Sequence, residues 1–262
     1  MNRGAMGVGM KRLLLAGTAV FIGGSAMAAP PPPQPFTWTG CYIGAHAGAG
    51  WSQTKLSNPG ATIIDVLPAG GEVGIGSDVG FIGGGQLGCD YQFAQNWVIG
   101  LAGDFSFASI DGRIDDPFFV GKNGNPAPLR AHTDELASLT GRVGYTWDRY
   151  LIYGKGGVAW AHNKYNLDNL FSFNGPFCGS GPFVACNAAA SDTHAGWTAG
   201  AGFEWAFSGN WSVLLEYDHY GFGSKTLTFV DQEGHAAPIG IKQDIDVVKV
   251  GFNFRFGGLL GP

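Results

Sequence analysis

From Trp38 onward, apolar residues alternate with small or polar ones in a series of segments separated by turn-forming residues. Period-two alternation is the mark of β-strands with one apolar and one polar face. It predicts strands at about 38–52, 79–93, 97–110, 136–147, 150–165, 194–207, 211–222 and 245–256. In the third, Trp97, Ile99, Leu101, Phe105 and Phe107 share a face opposite Ala102, Asp104 and Ser106. In the fourth, Leu139, Val143, Tyr145 and Trp147 oppose Ser138, Thr140, Arg142 and Thr146. The seventh sets Trp211, Val213, Leu215 and Tyr217 against Ser212, Glu216 and Asp218, and the eighth sets Val248, Val250, Phe252, Phe254 and Phe256 against Lys249, Asn253 and Arg255.

Three connections are tight (94–96, 148–149 and 208–210) and four are long (53–78, 111–135, 166–193 and 223–244), in strict alternation. Large aromatics mark the ends of the apolar faces: Trp51, Trp97, Phe107, Trp147, Tyr150, Trp160, Trp197, Trp205, Phe207, Trp211 and Phe256. Trp97 and Phe107, Tyr150 and Trp160, and Trp197 and Phe207 are each ten residues apart. That is about one bilayer crossing of tilted strand, and aromatics collect at both edges of the apolar layer. The expectation is an all-β fold: an eight-stranded antiparallel transmembrane up-and-down β-barrel with short periplasmic turns, long extracellular loops and two aromatic girdles. A soluble eight-stranded barrel would turn its apolar face inward, whereas here the face opposite the girdle aromatics is charged.

Those inward positions carry Asp90, Asp104, Glu204, Glu216 and Asp218 against Arg142, Lys155, Lys249 and Arg255, joined by His46 and Gln86. Five acids against four bases is near balance, which a filled lumen requires, because an unpaired buried charge is very costly. Eight strands enclose a space that side chains fill. These residues are expected to form a salt-bridge plug rather than to line a channel. Gly44, Gly48, Gly84, Gly88, Gly200 and Gly202 share the inward parity and leave a narrow route open as the alternative.

The N-terminus suits export. Arg3, Lys11 and Arg12 precede an apolar run at 13–24, and Ala26-Met27-Ala28 has the form of a cleavage site. Residues 1–28 therefore read as a secretory signal peptide, 29–35 as a Pro-rich periplasmic spacer, 36–256 as the barrel and 257–262 as a C-terminal extension. Cleavage removes three positive charges and takes the formal charge from −5 to −8 (−5 − 3), so there is no basic footprint for nucleic acid. The expected location is the Gram-negative outer membrane. Expected partners are its lipid, the barrel-assembly machinery during biogenesis, and host or neighbour surfaces through the loops.

Four cysteines in an oxidising compartment suggest two disulfides. Cys41 and Cys89 share lipid-facing parity on adjacent strands, and pairing them also opposes Ile43 with Leu87 and Trp51 with Val79. Cys178 and Cys186 share the third long loop. No His or Cys pairs stand at metal-ligand spacing, so neither a metal nor a cofactor is expected. None of the six histidines has Ser two positions later, and Asp218 and His219, being adjacent on a strand, face opposite ways. Catalysis is therefore not expected.

Several stretches together resemble a family: 38–44 (WTGCYIG), 80–92 (GFIGGGQLGCDYQ), 141–146 (GRVGYT), 153–159 (YGKGGVA), 195–204 (AGWTAGAGFE), 211–217 (WSVLLEY) and 248–256 (VKVGFNFRF). The chain is similar to the small alphaproteobacterial outer-membrane barrels typified by the Brucella 31-kDa and 25-kDa surface proteins. The resemblance covers the strands, more loosely the third, and none of the long loops. It implies an eight-stranded outer-membrane barrel and no catalytic residues. Members usually end on a terminal aromatic, whereas six residues follow Phe256 here.

The functional expectation is a structural or cell-surface role with at most a narrow pore. One alternative is a diffusion porin for small solutes. A second is a surface that binds a host component or haem through the loops, where Ile63 to Leu67, Pro117 to Val120, and Phe171, Phe173, Phe177 and Phe183 supply apolar residues. His132, His194 and His235 are the candidate axial ligands in that case.

Overall fold

The computed structural model describes residues 36–57, 72–120, 126–171, 185–234 and 236–256. The signal, spacer and C-terminal extension, Cys178, His235, and the apolar loop side chains named above lie outside the residues so described. The described residues form nine antiparallel strands: β1 (Gly40–Ser57), β2 (Glu72–Gly76), β3 (Gly80–Phe93), β4 (Trp97–Val120), β5 (Pro126–Trp147), β6 (Tyr150–Phe171), β7 (Ala185–Trp205), β8 (Trp211–Asp231) and β9 (Ala236–Phe256). Strands β3 to β9 pair in chain order, and β1 pairs with β9 from Cys41 to Ser57 to close the ring.

β2 and β3 share one place in that ring. β1 pairs with β3 from Gly40 to Gly50 and with β2 from Gln53 to Ser57. In the break between them, Ser77 bridges to Gly112 of β4, and the Ser52 amide donates to Ser77 Oγ at 2.6 Å. Nine strands thus fill eight places. The ladder of β1 with β3 ends at Gly50 and Gly80, one pair short of the Trp51–Val79 pair expected from the sequence.

The strands also run much further than the alternation of apolar-out residues suggested. Most of 111–135, 166–193 and 223–244, expected as loops, continues as β4 to β9. In this upper wall the sense of the alternation reverses. Leu129, Ala131, Leu227, Phe229, Ile239 and Ile241 turn inward and pack together, while Lys55, Arg113, Arg130 and Lys164 are exposed outside. Water replaces lipid around these segments, so apolar residues are buried in the only remaining place, the interior.

Lower down, the outer face is an apolar band. Leu101, Leu139, Ile152, Leu215 and Phe252 are each about half exposed or more, a large uncovered surface for a water-soluble protein. The aromatics at its edges, Trp97, Trp147, Trp205 and Trp211 below and Phe107, Trp160 and Trp197 above, are exposed outward; Trp51 is half-buried. The tight turns lie at the lower rim. Ala94 and Gln95 adopt positive φ (45° and 68°), and Asn96 Nδ2 donates to Thr146 O at 2.7 Å. At the same rim Cys41 and Cys89 are directly opposite each other and disulfide-bonded, with Cα atoms 3.9 Å apart.

Candidate functional site

Inside the apolar band the alternation sends five carboxylates, two lysines and two arginines of the wall inward, and the ring brings them into two clusters. In the lower one, Arg142 Nε donates to Asp90 Oδ1 at 2.7 Å and its Nη2 pairs with Asp90 Oδ2. Arg142 Nη1 reaches Glu204 at 3.3 Å, and Arg255 lies 2.8 Å from Asp90 and 3.5 Å from Glu204. Two carboxylates face two guanidiniums, so the cluster is neutral. The arginines lie over aromatic rings: Arg142 over Tyr42 (4.8 Å) and Tyr153 (4.9 Å), Arg255 over Trp38 (5.0 Å) and Tyr42 (5.2 Å).

The upper cluster contains Asp104, Glu216 and Asp218 with Lys155 and Lys249. Lys155 Nζ is 2.6 Å from Glu216 and 2.9 Å from Asp218, and Lys249 Nζ is 2.9 Å from each. Asp104 accepts from Ser138 Oγ at 2.7 Å and stands 3.8 and 3.6 Å from the two ammoniums. Tyr153 OH donates to Glu216 at 2.7 Å, which links this cluster to the aromatic floor of the other.

Neutral residues join the two clusters. Glu204 accepts from Ser212 Oγ (2.6 Å) and Asn253 Nδ2 (3.0 Å), and Gln86 Nε2 donates to Asn253 Oδ1 at 2.6 Å. The Gln86 carbonyl faces His46 Nδ1 at 2.9 Å, so that nitrogen carries the proton, and His46 Nε2 lies 2.7 Å from Ser106 Oγ. This Ser-His contact reaches from β1 to β4 across the glycines of the intervening β3, and no local motif announces it. It is enclosed: His46 and Ser106 are both buried.

The inward glycines give these side chains their seats. A Cβ at Gly200 would strike the Asp218 carboxylate, one at Gly100 the Asp90 carboxylate, and one at Gly44 the Asn253 amide. The missing bulk on one strand is taken up by a large polar group from the next. Below the charges, Trp38 is fully buried with Phe36, Val98 and Leu151. Its amide donates to Gln92 Oε1 at 2.8 Å, its indole N–H to Asp148 O at 3.3 Å, and its carbonyl accepts from Arg255 Nη1 at 2.7 Å. Above the charges, Ile82, Ile110, Leu136, Phe222, Ile245 and Val247 form an apolar layer. Charged residues are therefore sealed between apolar layers at both ends.

Sequence reasoning did not single out Trp38, Tyr42 or Tyr153 for the lumen. Parity was available for the two tyrosines, since Tyr153 is two residues from Lys155 and Tyr42 adjoins the outward Cys41. The inward turn of Trp38 has no such signal, as it precedes the first strand. Asp218 and His219 do face opposite ways: Asp218 lies in the lumen, while His219 Nδ1 is 2.8 Å from Asp246 outside. His132 points outward, 2.7 Å from Asp111, and His194 has inward parity on β7, so the two do not share a site. Among the described residues no cluster of His, Cys, Asp and Glu is arranged to hold a metal ion.

Comparison with known proteins bears on this architecture. Residues 16–256 match the family model for the outer membrane protein beta-barrel domain. The 31 kDa outer-membrane immunogenic protein of Brucella melitensis is 30% identical over 94% of this chain and 100% of its own length. The 25 kDa outer-membrane immunogenic protein of Brucella abortus is 25% identical over 93% of this chain and 94% of its own. Among solved structures, the outer membrane protein OprG of Pseudomonas aeruginosa aligns over 83% of this chain and 97% of its own, with a TM-score of 0.43 and 13% identity.

Proposed function

The chain belongs to the outer membrane protein beta-barrel domain family, and from that premise we propose that it is a closed-lumen barrel with a structural and cell-surface role. Its place is the outer membrane, in contact with outer-membrane lipid. The observation that carries the closed reading is the sealed charge layer. Asp90, Arg142, Glu204, Asp218, Lys249 and Arg255 are all buried, with apolar layers beneath and above them. A solute on the axis would have to break ion pairs in a dry space, where separating one charge from its partner costs several kcal/mol. The nine charges are a structural plug in this reading, and the girdle aromatics fix the barrel's height in the bilayer.

The same enclosure supports a non-catalytic role. Among the described residues Ser106 and His46 make a hydroxyl–imidazole contact inside the lumen, but the group orienting the imidazole is the neutral Gln86, and both side chains are buried away from either surface. The barrel-assembly machinery is the expected partner in biogenesis, and the loops are the surface left for contacts outside the cell. Reconstitution in planar bilayers tests the reading: the bare bilayer current should persist, with no sugar uptake into liposomes carrying the protein. Stable conductance steps accompanied by sugar uptake would overturn it and establish a diffusion porin.

A further inference from the structure

The wall has two stretches without backbone laddering among the described residues: β2 meets β4 only near the single Ser77–Gly112 bridge, and a longer seam runs between β7 and β8. Between β7 and β8 the ladder climbs to Trp197 and Gly221, stops, and resumes only at Ala189 and Val230. Residues 190–195 remain paired to β6, and residues 224–230 remain paired to β9, so the sheet is intact on either side. A bulge at Phe222/Ser224 shifts β8 against β9 at the same height.

Side chains bridge what the backbone leaves open. Asp192 and His194 on β7 have the inward parity of Ala190, which packs on the upper apolar cluster, and Lys225 on β8 stands opposite the buried Ile241. Lys225 Nζ crosses the seam to Asp192 Oδ2 at 2.5 Å, with the two side chains 41% and 22% exposed. The His194 ring is 6.1 Å from that of Phe222. Partial burial, then the Lys225 ammonium, holds the His194 imidazole below its usual range. Directly behind lie Phe222 and Phe229, both fully buried, and Leu227. The lower end of the opening is marked by Trp197 of the upper girdle, whose indole covers Gly221.

We propose that this seam is a lateral binding cleft for an amphipathic monocarboxylate of the long-chain acid type, drawn from the outer leaflet. The carboxylate takes the place of Asp192 on Lys225, and the aliphatic tail lies against Phe222, Leu227 and Phe229. Three features select that chemistry. The cation is already held by a carboxylate, and that carboxylate belongs to a stretch of strand with a free edge. The surface behind is apolar, and the opening begins at the interfacial depth where amphiphiles reside. The charged layer below excludes an apolar chain from the rest of the lumen, so the cleft is a pocket in the wall and not the mouth of an axial route.

The test uses the full barrel in nanodiscs with a dansylated undecanoic acid as probe, read as saturable fluorescence displaced by laurate. Asp192→Asn removes the internal competitor and should tighten binding about threefold or more, and Lys225→Met should weaken it about tenfold or more, as loss of a charge-assisted contact does. Asp134→Asn, in the outward ion pair with Lys164 across β5 and β6, whose ladder is interrupted only by the one-residue bulge at Asp134, should leave binding unchanged. Backbone amides of 190–195 facing the seam should also exchange faster than those of 161–166. Folded gel mobility of each variant separates lost binding from lost folding. Equal probe affinity for wild type, D192N and K225M, or no saturable binding to any of them, overturns the proposal, as would uniform amide protection across β7.

Discussion

The lower and upper halves of this barrel are built from the same strands with opposite insides. Below the girdle of Phe107, Trp160 and Trp197, apolar residues face out and nine ionisable side chains face in. Above it, Ile241, Phe229 and Leu129 face in, and ion pairs such as Lys164–Asp134 (2.6 Å) and Arg130–Asp168 (3.6 Å) lie outside. The strands run on through the boundary, where the backbone changes are bulges at Phe107/Ile110, Thr133/Glu135 and Phe222/Ser224 and breaks in the β1–β3 and β7–β8 ladders. The surrounding solvent decides which side of a strand is buried, and a single strand serves two solvents by reversing its pattern partway along. β6, β7 and β9 make the change with their inward parity unbroken, so it lies in the residue types; β5 also shifts its parity by one residue at a bulge.

The largest effect should come from unbalancing the charges of the lower interior. Arg142→Ala leaves Asp90 and Glu204 buried with Arg255 as their remaining cation, and folding titrations in lipid vesicles should show a loss of about 3–5 kcal/mol. No measurable change would mean that water fills the lower lumen. Next in size is a charge on the outer wall at two heights. Leu139→Arg, in the apolar band, should destabilise by about 2–4 kcal/mol, whereas Asn166→Arg on the same kind of outward position in the upper wall should change stability by about 0.5 kcal/mol or less. Equal effects would erase the boundary drawn here.

The upper interior sharpens the contrast in the other direction. Ile241→Val removes one buried methylene and should cost about 1 kcal/mol, as in a soluble core. The smallest effect belongs to the outer ion pairs. Lys164→Ala should cost about 0–1 kcal/mol and less in high salt. Slight burial pulls the Asp134 carboxyl upward, but the hydrogen bond from Lys164 and nearby His162 outweigh it and hold the group below its usual range. A depressed carboxyl stabilises at neutral pH and loses that contribution as the pH falls below about 4. The pH dependence near that point should therefore flatten in the Lys164→Ala variant.

Much of the lower half is legible in the sequence because one rule holds throughout it. Asp104 between Gly103 and Phe105, or Arg255 between Phe254 and Phe256, can be assigned to the interior by counting alternate residues. The same count fails above the girdle, where the rule has the opposite sign and residues such as Asp111, His132 and Asn166 resemble loop. Leu227, Phe229, Ile239 and Ile241 alternate correctly, but only an observer expecting water outside would read them as inward. The break at residues 77–79 and the burial of Trp38 are set by contacts distant in sequence, with Gly112 in one case and with Gln92, Asp148 and Arg255 in the other.

The disulfide has a consequence for the alignment of the whole barrel. β1 is both the partner of β3 and the strand that closes the ring on β9, and every face of every strand depends on its pairing being in step. A slip of one residue would send the charges to the lipid and the girdle to the interior. Cys41 and Cys89 lie directly opposite one another only in the native alignment. The bond therefore locks the alignment on which the whole wall depends: with β1 and β3 one residue out of step, the two thiols would lie on opposite faces.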